Sequence, residues 1–324
     1  MEKQAKIYVA GHRGLAGGSL TRALKKRGYD NLLLKSHTDL ELRDGAAVEA
    51  FFSREKPEYV LLAAAKVGGI HANATYPAEF IYDNLAISTN VIHAAWRHGV
   101  KRLLFLGSSC IYPRECPQPM REEHLLGGPL EPTNAPYALA KIAGVMMCDA
   151  YNRQYGTKFL SVMPTNLYGP GDNYDLRNSH VLPALIRKFH EAKTAGAPTA
   201  EVWGTGTPRR EFLYSDDMAD ACLFLLEQPD DRLFVPGRVA LFNIGCGADL
   251  TIRELAETVA SVVGFTGKLV WDASKPDGTP RKLLDMSRLF GMGWRPRTNF
   301  VDGIRLAYDE YLAREATQKR NGWS

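Results

Sequence analysis

No C-x-x-C pair occurs in the chain, and its cysteines are few and odd in number: Cys110, Cys116, Cys148, Cys222 and Cys246. That argues against a disulfide framework and against a structural zinc site. Long apolar runs are also missing. The longest, such as residues 59–65, fall far short of the roughly 20 residues that a membrane span requires. Residues 1–6 lack the apolar core of a signal peptide. No single sign of charge dominates, since 40 Lys+Arg against 36 Asp+Glu leave a net +4. Such a balance gives no pointer to nucleic acid and suits a small anionic ligand, for example a phosphorylated one. A cytoplasmic, reduced, soluble protein is expected. What is present is an ordinary globular composition, 45% hydrophobic and 23% charged over 324 residues. This excludes disorder and a collagen-like chain. The length suggests about two domains, or one large body with an appendage.

Over its first two thirds the chain alternates short apolar segments with amphipathic ones. Residues 7–10, 32–34, 59–65, 103–106 and 159–163 read as strands. Between them lie helix patterns: one carrying Leu20, Ala23 and Leu24 on a single face, one capped by Asp44 and running through Phe51 and Phe52, and two longer ones over about 78–97 and 137–155. Strands without polar alternation are buried on both faces, as in a parallel sheet covered by helices. The expected fold class is α/β, a Rossmann-type doubly wound parallel sheet with a smaller α/β substrate domain. After about Gly171, prolines, glycines and basic residues are scattered among shorter elements. Residues 181–192 and 251–263 still read as helices, and 241–244 as a strand that rejoins the first sheet. In such sheets ligands sit beyond the carboxyl ends of the strands, so the residues just after each strand carry the functional argument.

After the first strand comes Gly11-His12-Arg13-Gly14-Leu15-Ala16-Gly17, opening the first helix. Glycines allow a tight turn and close approach of backbone to a pyrophosphate, and a helix N-terminus offers free N–H groups to the anion. The spacing is G-x-x-G-x-x-G rather than G-x-G-x-x-G, and any strand-to-helix turn can use glycine. The strand–turn–helix setting favours a dinucleotide. An acid at the end of the second strand grips a ribose 2′-hydroxyl, whereas a base accommodates a 2′-phosphate. Here Leu34 is followed by Lys35-Ser36-His37, with Arg13 in the loop. NADP is therefore preferred over NAD. Asp39 and Glu41 follow closely, and the plainer reading of Lys35 and His37 is two solvated loop residues.

Leu106-Gly107-Ser108-Ser109-Cys110 ends a buried strand, and Tyr137 and Lys141 lie four apart at the start of a helix. Tyr and Lys at that spacing share a helical face. An ammonium beside a phenol favours phenolate and lowers the Tyr pKa, which makes the hydroxyl a usable acid or base. Ser108 can hydrogen-bond a substrate oxygen beside it. Alone, a Tyr-x-x-x-Lys pair is a surface helix pair. Joined to the glycine loop and the strand-end serines, it points to hydride transfer.

These features, with the stretches 63–70, 107–113, 163–170, 178–181 and 275–282, resemble the extended short-chain dehydrogenase/reductases, and within them the GDP-L-fucose synthase family. The resemblance runs through almost the whole chain. It implies 3,5-epimerisation of GDP-4-keto-6-deoxy-D-mannose and NADPH-dependent reduction at C4. A C4 ketone acidifies the protons on C3 and C5. The resemblance makes Cys110 the base and His180 the acid, since a cation can lower a thiol pKa and imidazole titrates near neutrality. Read without it, Cys110 is a small buried hydrophobe and His180 a structural residue. His71, His93, His98, His124, His190 and the other cysteines keep such plain readings. The resemblance further places Pro164, Thr165, Asn166 and Leu167 along the nicotinamide, and Leu106, Gly107, Ser108, Ser109, Lys141 and His180 against the cofactor. It gives Lys188, Trp203, Arg210 and Asp277 to the GDP-sugar, although Trp203 by itself reads as core. One departure is His37, where arginine is expected.

By the same resemblance, 1–172 and 215–248 form the NADP-binding domain, and 173–214 and 249–324 the GDP-sugar domain. A homodimer is expected from pairing of the helices at 78–97 and 137–155. Two rivals remain: another nucleotide-sugar 4-epimerase or 4,6-dehydratase, and a non-catalytic NADP-sensing protein. A dehydratase is expected to carry an acidic pair beside the catalytic serine or threonine, where this chain has Ser109 and Cys110. A sensor has no need of Tyr137 and Lys141 at this spacing.

Overall fold

The continuous apolar segments become the middle of a six-stranded parallel sheet in a computed structural model that describes residues 1–176, 178–275 and 277–320, with backbone alone at 70–71 and 318–320. Pro276, within the 275–282 stretch, and the side chain of His71 lie outside the described residues. In chain order the first half runs β1 (Ile7–Ala10), α1 (Leu15–Lys26), β2 (Leu32–Leu33), α2 (Gly45–Glu55), β3 (Tyr59–Leu62), α3 (Ile70–Thr75), α4 (Pro77–Arg97), β4 (Arg102–Leu106), α5 (Ala135–Tyr155) and β5 (Phe159–Pro164). There follow β6 (Asn166–Tyr168), α6 (Val181–Thr194), β7 (Thr199–Trp203), β8 (Arg209–Tyr214), α7 (Ser215–Leu226), the short α8 (Asp230–Leu233) and β9 (Leu241–Ile244). The chain closes with β10 (Asp249–Thr251), α9 (Ile252–Val263), β11 (Lys268–Asp272), β12 (Arg281–Lys282), α10 (Ser287–Gly291) and α11 (Phe300–Arg320).

The large sheet has the order β2-β1-β3-β4-β5-β9, and every pairing in it is parallel. The strand at 241–244 thus rejoins the first sheet beside β5, as expected. After β2 the chain crosses from one side of β1 to the other, and this switch opens a crevice at the carboxyl ends of β1 and β3. Asp44 caps α2 as the sequence predicts, its Oδ1 accepting from the N–H groups of Ala46 and Ala47 at 2.9 and 3.1 Å.

Two expected strands prove shorter. The segment 59–65 is strand only to Leu62, because Ala63 and Ala64 pass directly beneath the glycine turn: a Cβ on Gly11 would stand 2.7 Å from the Ala64 nitrogen. The edge strand β2 ends at Leu33 rather than Leu34, having only β1 to pair with.

One hydrophobic core covers the large sheet and takes in Leu284, Met286, Leu289 and Trp294 from late in the chain. A second core, with Leu185, Phe189, Val259, Phe265 and Ile304, lies among α6, α9, α11 and the smaller sheets. There β8 pairs with β10 on one side. On its other edge, β12 lies beside Arg209 and Arg210, and β6 lies beside Phe212 to Tyr214. Among the described residues no helix is long and apolar enough to cross a membrane.

Candidate active site

A cleft of about 660 Å³ opens where the sequence places it, at the carboxyl ends of the central strands. Every residue given to the cofactor lines it: the loop 11–17, Lys35, His37, residues 106–109, Lys141, residues 164–167 and His180. A volume of this size suits an elongated small molecule.

The loop is shaped for a pyrophosphate. Gly11 has φ +83°, and a Cβ on Gly17 would lie 2.1 Å from the Gly11 carbonyl oxygen, so only glycine lets the turn close. Gly14 caps α1 without a side-chain hydrogen bond, and no acid sits in the first turn. The first N–H groups of this helix are therefore free to meet an anion. Toward the second strand the nearby acids are already engaged. Asp39 accepts from the Ser36 N–H at 3.0 Å and from its hydroxyl at 2.5 Å. Glu41 is bound by Arg43 at 2.7 Å and by His37 at 2.8 Å, and the Arg43 contact holds its carboxyl down at about 2. His37 thus leans on Glu41, while Arg13 and Lys35 also line the cleft.

Ser108 caps a short 3₁₀ turn at the end of β4, and its Oγ accepts from the Cys110 N–H at 3.4 Å and from the Cys110 thiol at 3.1 Å. Tyr137 and Lys141 project from the first turns of α5. The Lys141 ammonium is buried, donates to the Leu106 carbonyl at 2.8 Å and stands 5.8 Å from the centre of the Tyr137 ring. Tyr137 packs edge-on against Phe80.

The expected acidification of Tyr137 is not observed. Burial lifts its phenol far above the ordinary value, Cys110 pushes it further, and a hydrogen bond with Ser108 pulls it back. Burial also lowers Lys141 to about 8. Both groups are dehydrated by the same walls, so the neutral form of each is favoured, and Lys141 directs its proton to a backbone carbonyl. Tyr137 therefore keeps its proton through the neutral range, which is the state required of an acid.

Cys110 departs from expectation in the same direction. Burial raises its thiol, while Lys282, the Ser108 hydrogen bond and Lys141 lower it in that order. Cys110 does not itself line the cleft: it is buried behind Ser108, which does, and it lines a second, small crevice together with Lys282 and Glu131. His180 caps α6 and lines the cleft. Its ring is open to the cleft yet hemmed in by protein, and that burial holds the imidazole below its ordinary value. The His180 loop is pinned near the α3 entrance by the Gly69 N–H donating to the Asn178 carbonyl at 3.3 Å.

Lys188, Trp203, Arg210 and Asp277 stand apart from the cleft lining, in the second lobe. Trp203 is 54% exposed, which removes the core reading. Its ring has Lys188 at 4.9 Å and Lys275 at 5.4 Å from the centroid. Arg210, on β8, donates to the Arg209 carbonyl at 2.8 Å; burial lowers its pKa and Asp277 raises it. Both Asp277 oxygens already accept from Thr205, each at 2.8 Å, so this carboxylate anchors the turn beside Trp203.

Lys282 and Glu131 are what sequence reasoning missed. Lys282 is far from Cys110 in the chain, and the pairing of β12 with β8 and the links of Leu283 and Leu284 to Gln118 and Met120 bring it near. The one available signal was its place in the 275–282 stretch.

With this geometry in view, comparison with known proteins gives a consistent result. Residues 7–245 match the NAD dependent epimerase/dehydratase family. The chain is 60% identical to GDP-L-fucose synthase 1 of Arabidopsis thaliana over 311 residues, 96% of this chain and 94% of that protein. It is 54% identical to GDP-L-fucose synthase of Escherichia coli K12, covering 96% and 98%. The solved structure of a GDP-L-fucose synthetase from Naegleria fowleri bound to NADP superposes with a TM-score of 0.88 at 28% identity, covering 98% and 97%.

Proposed function

From its place in the NAD dependent epimerase/dehydratase family, to which this chain belongs, we propose that it makes GDP-L-fucose from GDP-4-keto-6-deoxy-D-mannose. The reaction is epimerisation at C3 and C5 followed by NADPH-dependent reduction at C4. The observation that carries the reading is a thiol, Cys110, 3.1 Å from the Ser108 oxygen in a Ser–Tyr–Lys cleft. Reduction uses the serine, tyrosine and lysine; an adjacent thiol is what carbon inversion adds. Ser109 and Cys110, not an acidic pair, stand directly after Ser108, so a 4,6-dehydratase is not favoured.

NADPH, when bound, supplies hydride to C4. The glycine loop fits its pyrophosphate, Arg13 and Lys35 its 2′-phosphate, and residues 164–167 flank the nicotinamide end. Ser108 hydrogen-bonds the C4 oxygen. That ketone acidifies the C3 and C5 protons, which Cys110 removes on one face and His180 returns on the other. Tyr137 then protonates the C4 oxygen, with Lys141 holding the phenol and the cofactor ribose. Lys188, Trp203 and Arg210 receive the GDP-sugar, and Asp277 fixes the turn that carries Trp203. In this reading residues 1–172 and 215–248 bind cofactor, and 173–214 and 249–324 bind substrate. The protein is cytoplasmic, and α4 and α5 pair across a homodimer, a role supported by exposed Tyr82, Leu139 and Tyr155 on those helices.

The test is direct. Adding GDP-4-keto-6-deoxy-D-mannose to enzyme and NADPH is expected to bleach the NADPH absorbance band, with GDP-L-fucose identified by NMR. Bound cofactor without consumption would sink the reading. Cofactor choice gives a second expected result. Arg13→Ala removes a charge-assisted contact worth roughly 1.5–3 kcal/mol, so KM for NADPH rises by about one to two decades while KM for NADH moves little. Equal rises for both cofactors would remove Arg13 from the 2′-phosphate.

A further inference from the structure

Cys110 stands in a wall with two sides. Toward the cleft it touches Ser108, and behind it lies the crevice of about 10 Å³, room for about one water. Ser109 lines both spaces. The crevice is walled by Cys110, Lys282, Glu131, Arg114 and Arg281. Arg281 is committed to Asp249 at 2.5 Å. Glu131 forms the outer end: it accepts from the Thr133 hydroxyl at 3.3 Å and lies 3.5 Å from Arg114, whose side chain is 52% exposed.

Inverting two carbons with one base and one acid imposes a demand that the cleft alone does not meet. After the first inversion the thiol holds a proton and the imidazole lacks one, so both must be reset before the second. At that moment the sugar covers the cleft side of Cys110. Resting on the roles proposed above for Cys110 and His180, we infer that the crevice is the proton exit of the thiol, running from Cys110 through Lys282 to Glu131 and solvent.

The steps balance. A C–H bond breaks and an S–H bond forms. Lys282 passes one ammonium proton to the crevice water, which passes a proton to the Glu131 carboxylate, and Glu131 releases it to bulk. The S–H bond then breaks as the thiol proton moves to the neutral Lys282 amine, restoring thiolate and ammonium. One proton leaves per inversion, His180 takes one from solvent, and no electrons are exchanged. The charges acting on the thiol are Lys282 and Lys141; those acting on Lys282 are Cys110, Arg210 and Glu131. Burial pulls the Lys282 pKa down, which eases release of its proton, and the mutual attraction of Cys110 and Lys282, which lowers the thiol and raises the amine, favours the return to thiolate and ammonium.

Glu131→Gln keeps the side-chain shape and removes the proton acceptor. The measurement is deuterium entry at C3 and C5 in D₂O with NADP⁺ bound, followed by mass spectrometry at low and high imidazole buffer. Wild-type exchange is expected to ignore buffer concentration. The variant is expected to fall about ten- to a hundredfold at low buffer and recover as buffer rises, with NADPH binding by fluorescence unchanged. Wild-type exchange by the variant at low buffer, or a slow rate that buffer does not restore, overturns the route. Should Glu131→Gln fail to bind NADPH, Lys282→Met takes its place, with the same loss and rescue expected and the same outcomes overturning the route. A wild type that exchanges neither hydrogen sinks the epimerase reading itself; normal wild-type exchange with an unaffected variant sinks only the proton exit.

Discussion

Cys110→Ser is expected to incorporate almost no deuterium at C3 and C5 of the sugar in D₂O, where the wild type incorporates it at both. Serine matches the size of cysteine and preserves the packing behind Ser108, but its hydroxyl is a far weaker base. Loss of a positioned base costs about two to four decades in rate. The wild-type rate also carries a sign with pH. The active form is thiolate, and burial pushes the thiol up, so the thiolate fraction and the exchange rate grow as pH rises through the neutral range. Cys110→Ser loses that slope along with the activity. Because Tyr137 and Lys141 remain, the variant slowly reduces the unepimerised ketone to a GDP-6-deoxyhexose of the original C3 and C5 configuration. His180→Gln differs: the base survives, so exchange persists on one face without productive inversion. Mass spectrometry for deuterium and NMR for product identity separate the two. Full exchange and normal GDP-L-fucose from Cys110→Ser would return this residue to a small buried hydrophobe.

Tyr137→Phe gives the converse result. Reduction is expected to fall by about two to four decades, while exchange at C3 and C5 and NADPH binding persist. Tyr137 is one residue among the many that line the cleft, and a phenyl ring keeps the edge-on packing against Phe80. In the wild type, pH separates the two chemistries further. Tyr137 stays protonated, so it contributes no titration near neutrality. Lys141, lowered to about 8, loses its charge as pH rises through that value, and reduction declines there while exchange still climbs. The NADPH absorbance change and deuterium content, followed across pH 6 to about 9, read both limbs. Near wild-type turnover of Tyr137→Phe would remove the phenol from the proton-donor role.

Several features needed no tertiary context. The glycine loop sits where strand meets helix because its residues cannot do otherwise: a side chain at Gly11 or Gly17 collides with backbone. The strands were legible because burial on both faces leaves no polar alternation, and Asp44 announced its helix through a local hydrogen bond. Tyr137 and Lys141 share a helix, and Ser108 and Cys110 share a turn, so their neighbourhood is fixed by short-range geometry. Of the strands after residue 171 only β9 was legible, and those of the smaller sheets were not. They are defined by partners far along the chain, as β8 is by β6, β10 and β12.

What the sequence determined by itself is therefore the parallel sheet, the glycine loop and the local neighbourhoods of Ser108 with Cys110 and of Tyr137 with Lys141. The tertiary structure alone decided the protonation balance. A residue type carries its ordinary pKa into the fold, but the loss of water around Tyr137, Lys141, Cys110 and His180 moves each toward its neutral form. The fold alone also delivered Lys282 to the rear of Cys110, because strand pairing, not sequence spacing, sets which charges a buried thiol feels.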